Sequence, residues 1–260
     1  MIGQYIPGHS PLHQMDPRAK LLFVFAYMFA VFLANNPATY GLLVLFTGIG
    51  IYFSRISLSV FYRSMKPVFI LILLTSLLHL WMTRGGEALF SFSFLTIYEE
   101  GVRQAIYISI RFFLLMAAAS LLTFTTSPID LTDGMESLLK PFERLGVPAH
   151  ELALMMSIAL RFIPTLWEET EKIKKAQMAR GADFESGHVF KRVKSYIPVL
   201  IPLFISAFRR AEDLALAMES RCYRGGKGRT KWRELHYSHL DVVLLLLFVI
   251  LLTALWLLRK

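Results

Sequence analysis

The sequence predicts an all-α polytopic membrane protein with about five transmembrane helices and one charged domain of long helices. Three observations predict it. Hydrophobic residues make up 55% of the 260 positions and mean hydropathy is +0.50, in apolar runs too long and too frequent for a soluble core. Runs of helical length occur at 21–34, 39–53, 67–82, 104–126 and 240–258. A hydrocarbon core takes about 20 apolar residues of helix, so several of these need flanking residues or local thinning. Finally, 18 of the 28 Lys and Arg and 14 of the 19 acids lie between Ser127 and His239, which makes that segment a domain and not a loop. The chain divides into 1–126 with four spans, 127–239 as the charged domain, and 240–260 with the last span.

Orientation follows from the basic clusters. Arg18 and Lys20, then Arg55, Arg63 and Lys66, mark cytoplasmic connections, whereas "NNPA" and "TRGGEALFSFSFLTIYEEG" face out. Five spans then give an inside N-terminus and a cytoplasmic 127–239 segment; Arg259 and Lys260 argue mildly against it. The polar, proline-rich start carries no cleavable signal pattern, so the first span is expected to serve as the targeting signal. The result is a multi-pass cell-membrane protein whose non-membrane part is mostly cytoplasmic.

Within the charged segment, Ser127-Pro128 or Asp130 opens a short helix, Pro141 interrupts it and Gly146-Val147-Pro148 closes it. A second helix begins near Ala149, apolar first and charged later, with a kink expected at Pro164 and a stop at Gly181. A third repeats that plan over "YIPVLIPLFISAFRRAEDLALAMESRCYRGG", with Gly225-Gly226 as its stop. From Pro198 to Arg221 it runs about 36 Å. Shifted by 41 positions, Glu171 aligns with Glu212, Ala176 with Ala217 and Arg180 with Arg221.

Each long helix thus ends in one arginine between small neighbours: Ala179-Arg180-Gly181 and Ser220-Arg221-Cys222. A cation in the last turn is favoured by the helix dipole, by a few tenths of a kcal/mol. Small neighbours, however, leave the guanidinium standing clear of its own helix, and its planar five-donor fork suits an acidic groove on another protein. Both readings stand on the residues alone.

Other constellations exclude more than they suggest. Neither "GADFESGHV" nor "RGGKGRTKW" has the spacing of a phosphate-binding loop, so ATP hydrolysis does not reside here. "RGGKGRTKWR" reads as a solvated basic loop that meets anionic lipid headgroups rather than nucleic acid. His9/His13 and His236/His239 lack the acids or cysteines to complete a metal site, and no cofactor is expected. Arg111 lies within the fourth span, where a hydrogen bond that fixes packing competes with a ligand contact. Gly41, Gly48 and Gly50 would allow close helix approach. A self-contained secondary transporter would place ionisable residues in several spans, and a lipid enzyme would cluster acids or His at a membrane face.

"TFTTSP" (123–128), "LGVPAHELALMMSIALRFIPTLWEE" (145–169), "AQMARGADF" (176–184) and "RRAEDLALAMESRCYRG" (209–225) together resemble the transmembrane T component of energy-coupling factor (ECF) transporters, importers within the ABC class. The resemblance covers nearly the whole chain. It implies two crossing cytoplasmic coupling helices, each ending in a small-Arg-small signature that docks into one of two ABC ATPase subunits. Carried over, the docking residues are Ala179, Arg180, Gly181, Ser220, Arg221 and Cys222; the second signature departs from the commoner Ala-Arg-Gly. It also implies a membrane-embedded substrate-binding S component, toppled by ATP-driven motion to deliver a vitamin or related micronutrient. The chain itself would be non-catalytic.

Overall fold

The computed structural model describes residues 5–83, 85–92, 95–184, 186, 188–226 and 234–259. The basic stretch 227–233 lies outside the described residues. In chain order the elements are α1 (Pro11–Gln14), α2 (Pro17–Leu33), α3 (Pro37–Ser54), α4 (Leu58–Met82), β1 (Ala88–Phe92), β2 (Leu95–Tyr98), α5 (Glu99–Thr125), α6 (Pro128–Leu139), α7 (Ala149–Ala179), α8 (Val189–Ser195), α9 (Ile197–Ser220) and α10 (His239–Leu258). The protein is all-α apart from one addition, an antiparallel β1–β2 hairpin that pairs Phe90 with Ile97 and Phe92 with Leu95. Contacts divide the chain into two compact units, residues 3–135 with 234–260, and residues 136–233.

Five helices have the length and apolarity to cross a bilayer: α3, α4, α5, α7 and α10. The set differs from the expected one at two places. At 17 residues α2 spans only about 25 Å, short of the ~30 Å hydrocarbon core. The apolar half of α7 falls in the segment expected as the charged domain. The third span also begins earlier than expected, because α4 runs straight through Pro67 from Leu58. The protein is a multi-pass membrane protein.

In the first unit α5 packs against α2, α3 and α4, while α10 packs against α2 and α3. Val31, Leu43 and Leu114 are fully buried at their meeting, beside Tyr27, Tyr40 and Leu251. Local chemistry sets the helix starts. Asp16 caps α2 by accepting from Arg18 N at 2.8 Å, and Pro17 occupies the first turn, where its missing N–H costs nothing. Ser238 and Asp241 form a capping box on α10, and Asp241 also accepts from Asp16 N at 3.0 Å, tying the two helix starts together.

Two polar side chains lock this bundle. Lys20 is buried, and its Nζ donates to Thr125 O at 3.0 Å and Thr126 Oγ1 at 3.1 Å, satisfying a carbonyl that the end of α5 leaves without a helical partner. Arg111 donates from Nη2 to Tyr40 Oη at 2.8 Å and lies over the Phe32 ring at 5.4 Å, an interhelical packing contact. Within this chain the expected approaches at Gly41, Gly48 and Gly50 do not occur among the described residues. A Cβ on Gly41 or Gly48 would meet nothing within 4 Å, and one on Gly50 only Leu121 at ordinary contact. Close approach belongs instead to Gly101, where a Cβ would sit 3.3 Å from His79 O and Thr83 O, so α5 begins pressed against the end of α4.

In the second unit a 3-10 turn (Lys140–Leu145) follows α6 at the expected proline, and Gly146 at φ 89 closes it. Then come α7, α8 and α9. The segment between α7 and α8 is anchored by Phe184, buried with its ring 5.1 Å from that of Tyr196.

Candidate docking tips on two antiparallel helices

The two long helices of the second unit run antiparallel. Gln177 Nε2 of α7 donates to Pro198 O at the start of α9 at 3.3 Å. Midway, Ser206 Oγ and Arg210 Nη2 donate to the two carboxylate oxygens of Glu169 at 2.6 and 2.7 Å. At the far end Tyr223 Oη, just past α9, lies 3.3 Å from His150 Nε2 in the first turn of α7. Facing positions therefore step in opposite directions about a midpoint near Trp167 and Phe208. Arg180 and Arg221 each lie 13 residues beyond that midpoint, about 20 Å along their own helix and toward opposite ends of the pair.

Opposed polarity explains why neither helix is apolar throughout. The apolar stretch of α7 (149–166) faces the charged half of α9, which carries Arg209, Arg210, Glu212, Asp213 and Glu219. Each such charge costs ~2.5–3.5 kcal/mol at a bilayer centre, which opposes burial of the charged half of α9 in a hydrocarbon core. Glu169 is polar-paired accordingly. The Ser206 hydroxyl first, then the Arg210 guanidinium, hold its carboxyl below the ordinary carboxylate value.

Both helices end in the same backbone motif. After α7, Arg180 is the last near-helical residue and Gly181 takes φ 89; Gly181 N donates to Met178 O at 3.0 Å and Ala182 N to Gln177 O at 3.0 Å. After α9, Arg221 holds the same place and Cys222 takes φ 57; Cys222 N donates to Glu219 O at 2.8 Å and Tyr223 N to Met218 O at 3.0 Å. Each pair of bonds is a Schellman closure in which the left-handed residue turns the chain off the helix axis. Two corrections follow. The third helix stops at Ser220, five residues before the glycine pair expected to stop it, because Cys222 accepts the left-handed conformation itself. Both arginines cap their helices rather than lying in the last turn.

Ala179, Arg180, Gly181, Ser220, Arg221 and Cys222 are all exposed. The structure brings them together as two triplets, one at each end of the pair. Among the described residues neither guanidinium has a hydrogen-bond or ion-pair partner, so each fork of donors is available to another molecule. Sequence reasoning missed the residues that brace the second triplet: His150, Glu136, Tyr223 and Gly226. Their signal was ambiguous, since Gly226 read as a helix stop.

The cobalt transport protein family CbiQ matches residues 8–232. The chain is 55% identical over 98% of its length to the energy-coupling factor transporter transmembrane protein EcfT of Acidaminococcus fermentans, covering 96% of that protein. It is 57% identical to the protein of that name from Brevibacillus brevis over 96% of this chain and 94% of the other. For the Bacillus subtilis protein of that name the figure is 52%, over 100% and 98%. With both relatives and family match running nearly end to end, the chain belongs to the CbiQ family of transport proteins, among the transmembrane components of energy-coupling factor transporters.

Proposed function

We propose that this protein is the non-catalytic energy coupler of an ECF importer. Two ABC ATPase subunits, identical or paralogous, dock on the two arginine tips, and a membrane-embedded S component supplies the substrate site. Residues 127–239 form the cytoplasmic coupling domain between the membrane segments 1–126 and 240–260. The observation that carries this reading is the pair of equivalent tips: the same cap, the same exposed guanidinium, the same reach from the crossing, pointing apart. Two equivalent tips suit two equivalent partners. The charges along α9 support a course of the pair outside the hydrocarbon core, with both tips on one side of the membrane.

Coupling then requires that the ATPase pair hold the tips differently when open and closed, since a partner with no differential affinity shifts no equilibrium. The stiff α7–α9 pair, braced at Glu169, carries that displacement toward the membrane helices. There the S component, loaded with a vitamin or related micronutrient, reorients to release it. Purification of the tagged full chain from its own membranes, with identification of co-purifying chains, tests the reading. Two ATPase copies and one small apolar membrane protein per chain are expected. Recovery of the chain alone, with transport intact in reconstituted vesicles, would establish it as a self-contained transporter.

A further inference from the structure

The two tips are equivalent in backbone but not in support. Behind Arg180, among the described residues, Phe184 packs against Tyr196 and Ser186 N donates to Asp183 Oδ1 at 3.1 Å within the loop. Behind Arg221 the backbone is anchored by a polar chain. His150 Nδ1 lies 3.1 Å from Glu136 Oε1, and His150 Nε2 lies 3.3 Å from Tyr223 Oη. An ionised carboxylate only accepts, so Nδ1 carries the proton that faces Glu136; in the neutral ring Nε2 is then the acceptor, and Tyr223 O–H donates to it. Gly226 closes over the same ring. A Cβ there would stand 2.4 Å from His150 Cδ2 and 2.5 Å from Cγ, so only a glycine permits the contact.

We propose that His150 is the positioning residue of the second docking tip: oriented by Glu136, its imidazole clasps Tyr223 and Gly226 and thereby fixes the direction of Arg221. Tyr223 is two residues past Arg221, and its N–H is already spent on Met218 O. With backbone and phenol both held, the turn between them has little freedom left. The exposed donors of Arg221 are thus presented in one orientation, and the entropy of ordering them is not charged to docking. The clasp also ties this tip to the first turn of α7 and the last turns of α6, so displacement at Arg221 reaches the start of α7 as well as α9.

This inference rests on the docking reading, and the protein carries the probe that separates the two. Cys222 is the sole cysteine and is exposed, directly beside Arg221. A nitroxide on Cys222 of the full chain in lipid nanodiscs reads the mobility of the second tip; a chain with C222S and K175C reads the first helix. His150→Ala, Tyr223→Phe and Gly226→Ala are each expected to shorten the rotational correlation time at Cys222 severalfold and leave the Lys175 position unchanged. Glu136→Gln keeps an acceptor oxygen and should stay near wild type, whereas Glu136→Ala should loosen the tip. No change at Cys222, or equal loosening at both labels, overturns the clasp. Loosening at Cys222 in the clasp variants, with ATPase binding undiminished in Arg221→Glu, leaves the clasp standing and sinks the docking reading. Loss of binding in Arg221→Glu, with Cys222 rigid in every clasp variant, does the reverse.

Discussion

Arg210 of α9 donates to Glu169 of α7 across the middle of the antiparallel pair at 2.7 Å, and the two positions are 41 residues apart, the same offset that relates Arg180 to Arg221. A pair built about this contact places the two tips symmetrically, so loosening it should loosen both. The carboxyl is partly exposed and the guanidinium more so; such a pair contributes about 0.5–1 kcal/mol. A double-mutant cycle with Glu169→Gln and Arg210→Gln, read by thermal unfolding, should return a coupling of that size. The sign in pH follows from the direction of the Glu169 shift. A depressed carboxyl adds stability above its unfolded value and loses it as pH falls through its folded value, so the coupling should be full at neutral pH and fade as pH falls below the ordinary carboxylate range. A coupling that is unchanged at low pH would remove Glu169 from the brace.

Lys20 offers a test in the membrane unit. Its amine satisfies Thr125 O and Thr126 Oγ1 where α5 ends. Lys20→Met keeps the length and apolar stem but leaves a buried carbonyl without a donor, a loss of about 1–3 kcal/mol. Unfolding in detergent should show it as a lower melting temperature. Thr126→Val, which removes only one of the two acceptors, should cost less.

The reading of this chain from sequence succeeded where a signal was both periodic and long. The apolar runs of α3, α5 and α10 are visible as runs, and the start signal at Ser127-Pro128 marks a helix start in the fold. It failed where two signals competed. "ALFSF" alternates with the period of a strand in its last three residues, yet it lies in a short connection between apolar runs, and it forms β1 of the hairpin. The third helix stop went to the glycine pair by propensity, while Cys222 took the left-handed position at its own cost. The tips were legible as two matching triplets. Their opposite directions were not, because antiparallel pairing of α7 with α9 is a tertiary fact: no local pattern says that Gln177 meets Pro198 or that His150 meets Tyr223. The close-packing glycines, too, depend on which helix comes near, and Gly101, Gly134 and Gly226, rather than Gly41, are approached.

The two Schellman caps differ at one residue, and that difference is measurable. Gly181 sits at φ 89, where a Cβ is strained, and Cys222 sits at φ 57 with a Cβ present. Gly181→Ala should therefore destabilise the end of α7 by about 1 kcal/mol. Cys222→Gly removes a left-handed penalty of about 1–2 kcal/mol but adds freedom to the unfolded chain, so a net gain on the order of 0.5 kcal/mol is expected. Amide exchange at Ala182 and Tyr223, whose N–H groups close the two caps, reads these effects locally. Faster exchange at Tyr223 in Cys222→Gly would mean that the cysteine side chain itself supports the turn.

Charge reversal at the tips decides between capping and docking, because the two roles predict different losses. If Arg180 and Arg221 only complement their helix dipoles, Arg180→Glu and Arg221→Glu cost a few tenths of a kcal/mol of helix stability and nothing else. If each inserts into an acidic groove, reversal leaves buried carboxylates facing a like charge, a loss of about 2–5 kcal/mol in partner affinity or roughly 30-fold to several-thousand-fold. Either single variant should then retain ATPase at one tip with weakened assembly. The double variant should lose ATPase association and uptake while its level in the membrane stays at that of the wild type. Conservative Arg→Lys changes separate charge from geometry: a lysine keeps the cation but not the planar fork, so binding should fall part of the way. Undiminished ATPase capture by the double variant would return both arginines to the role of simple caps.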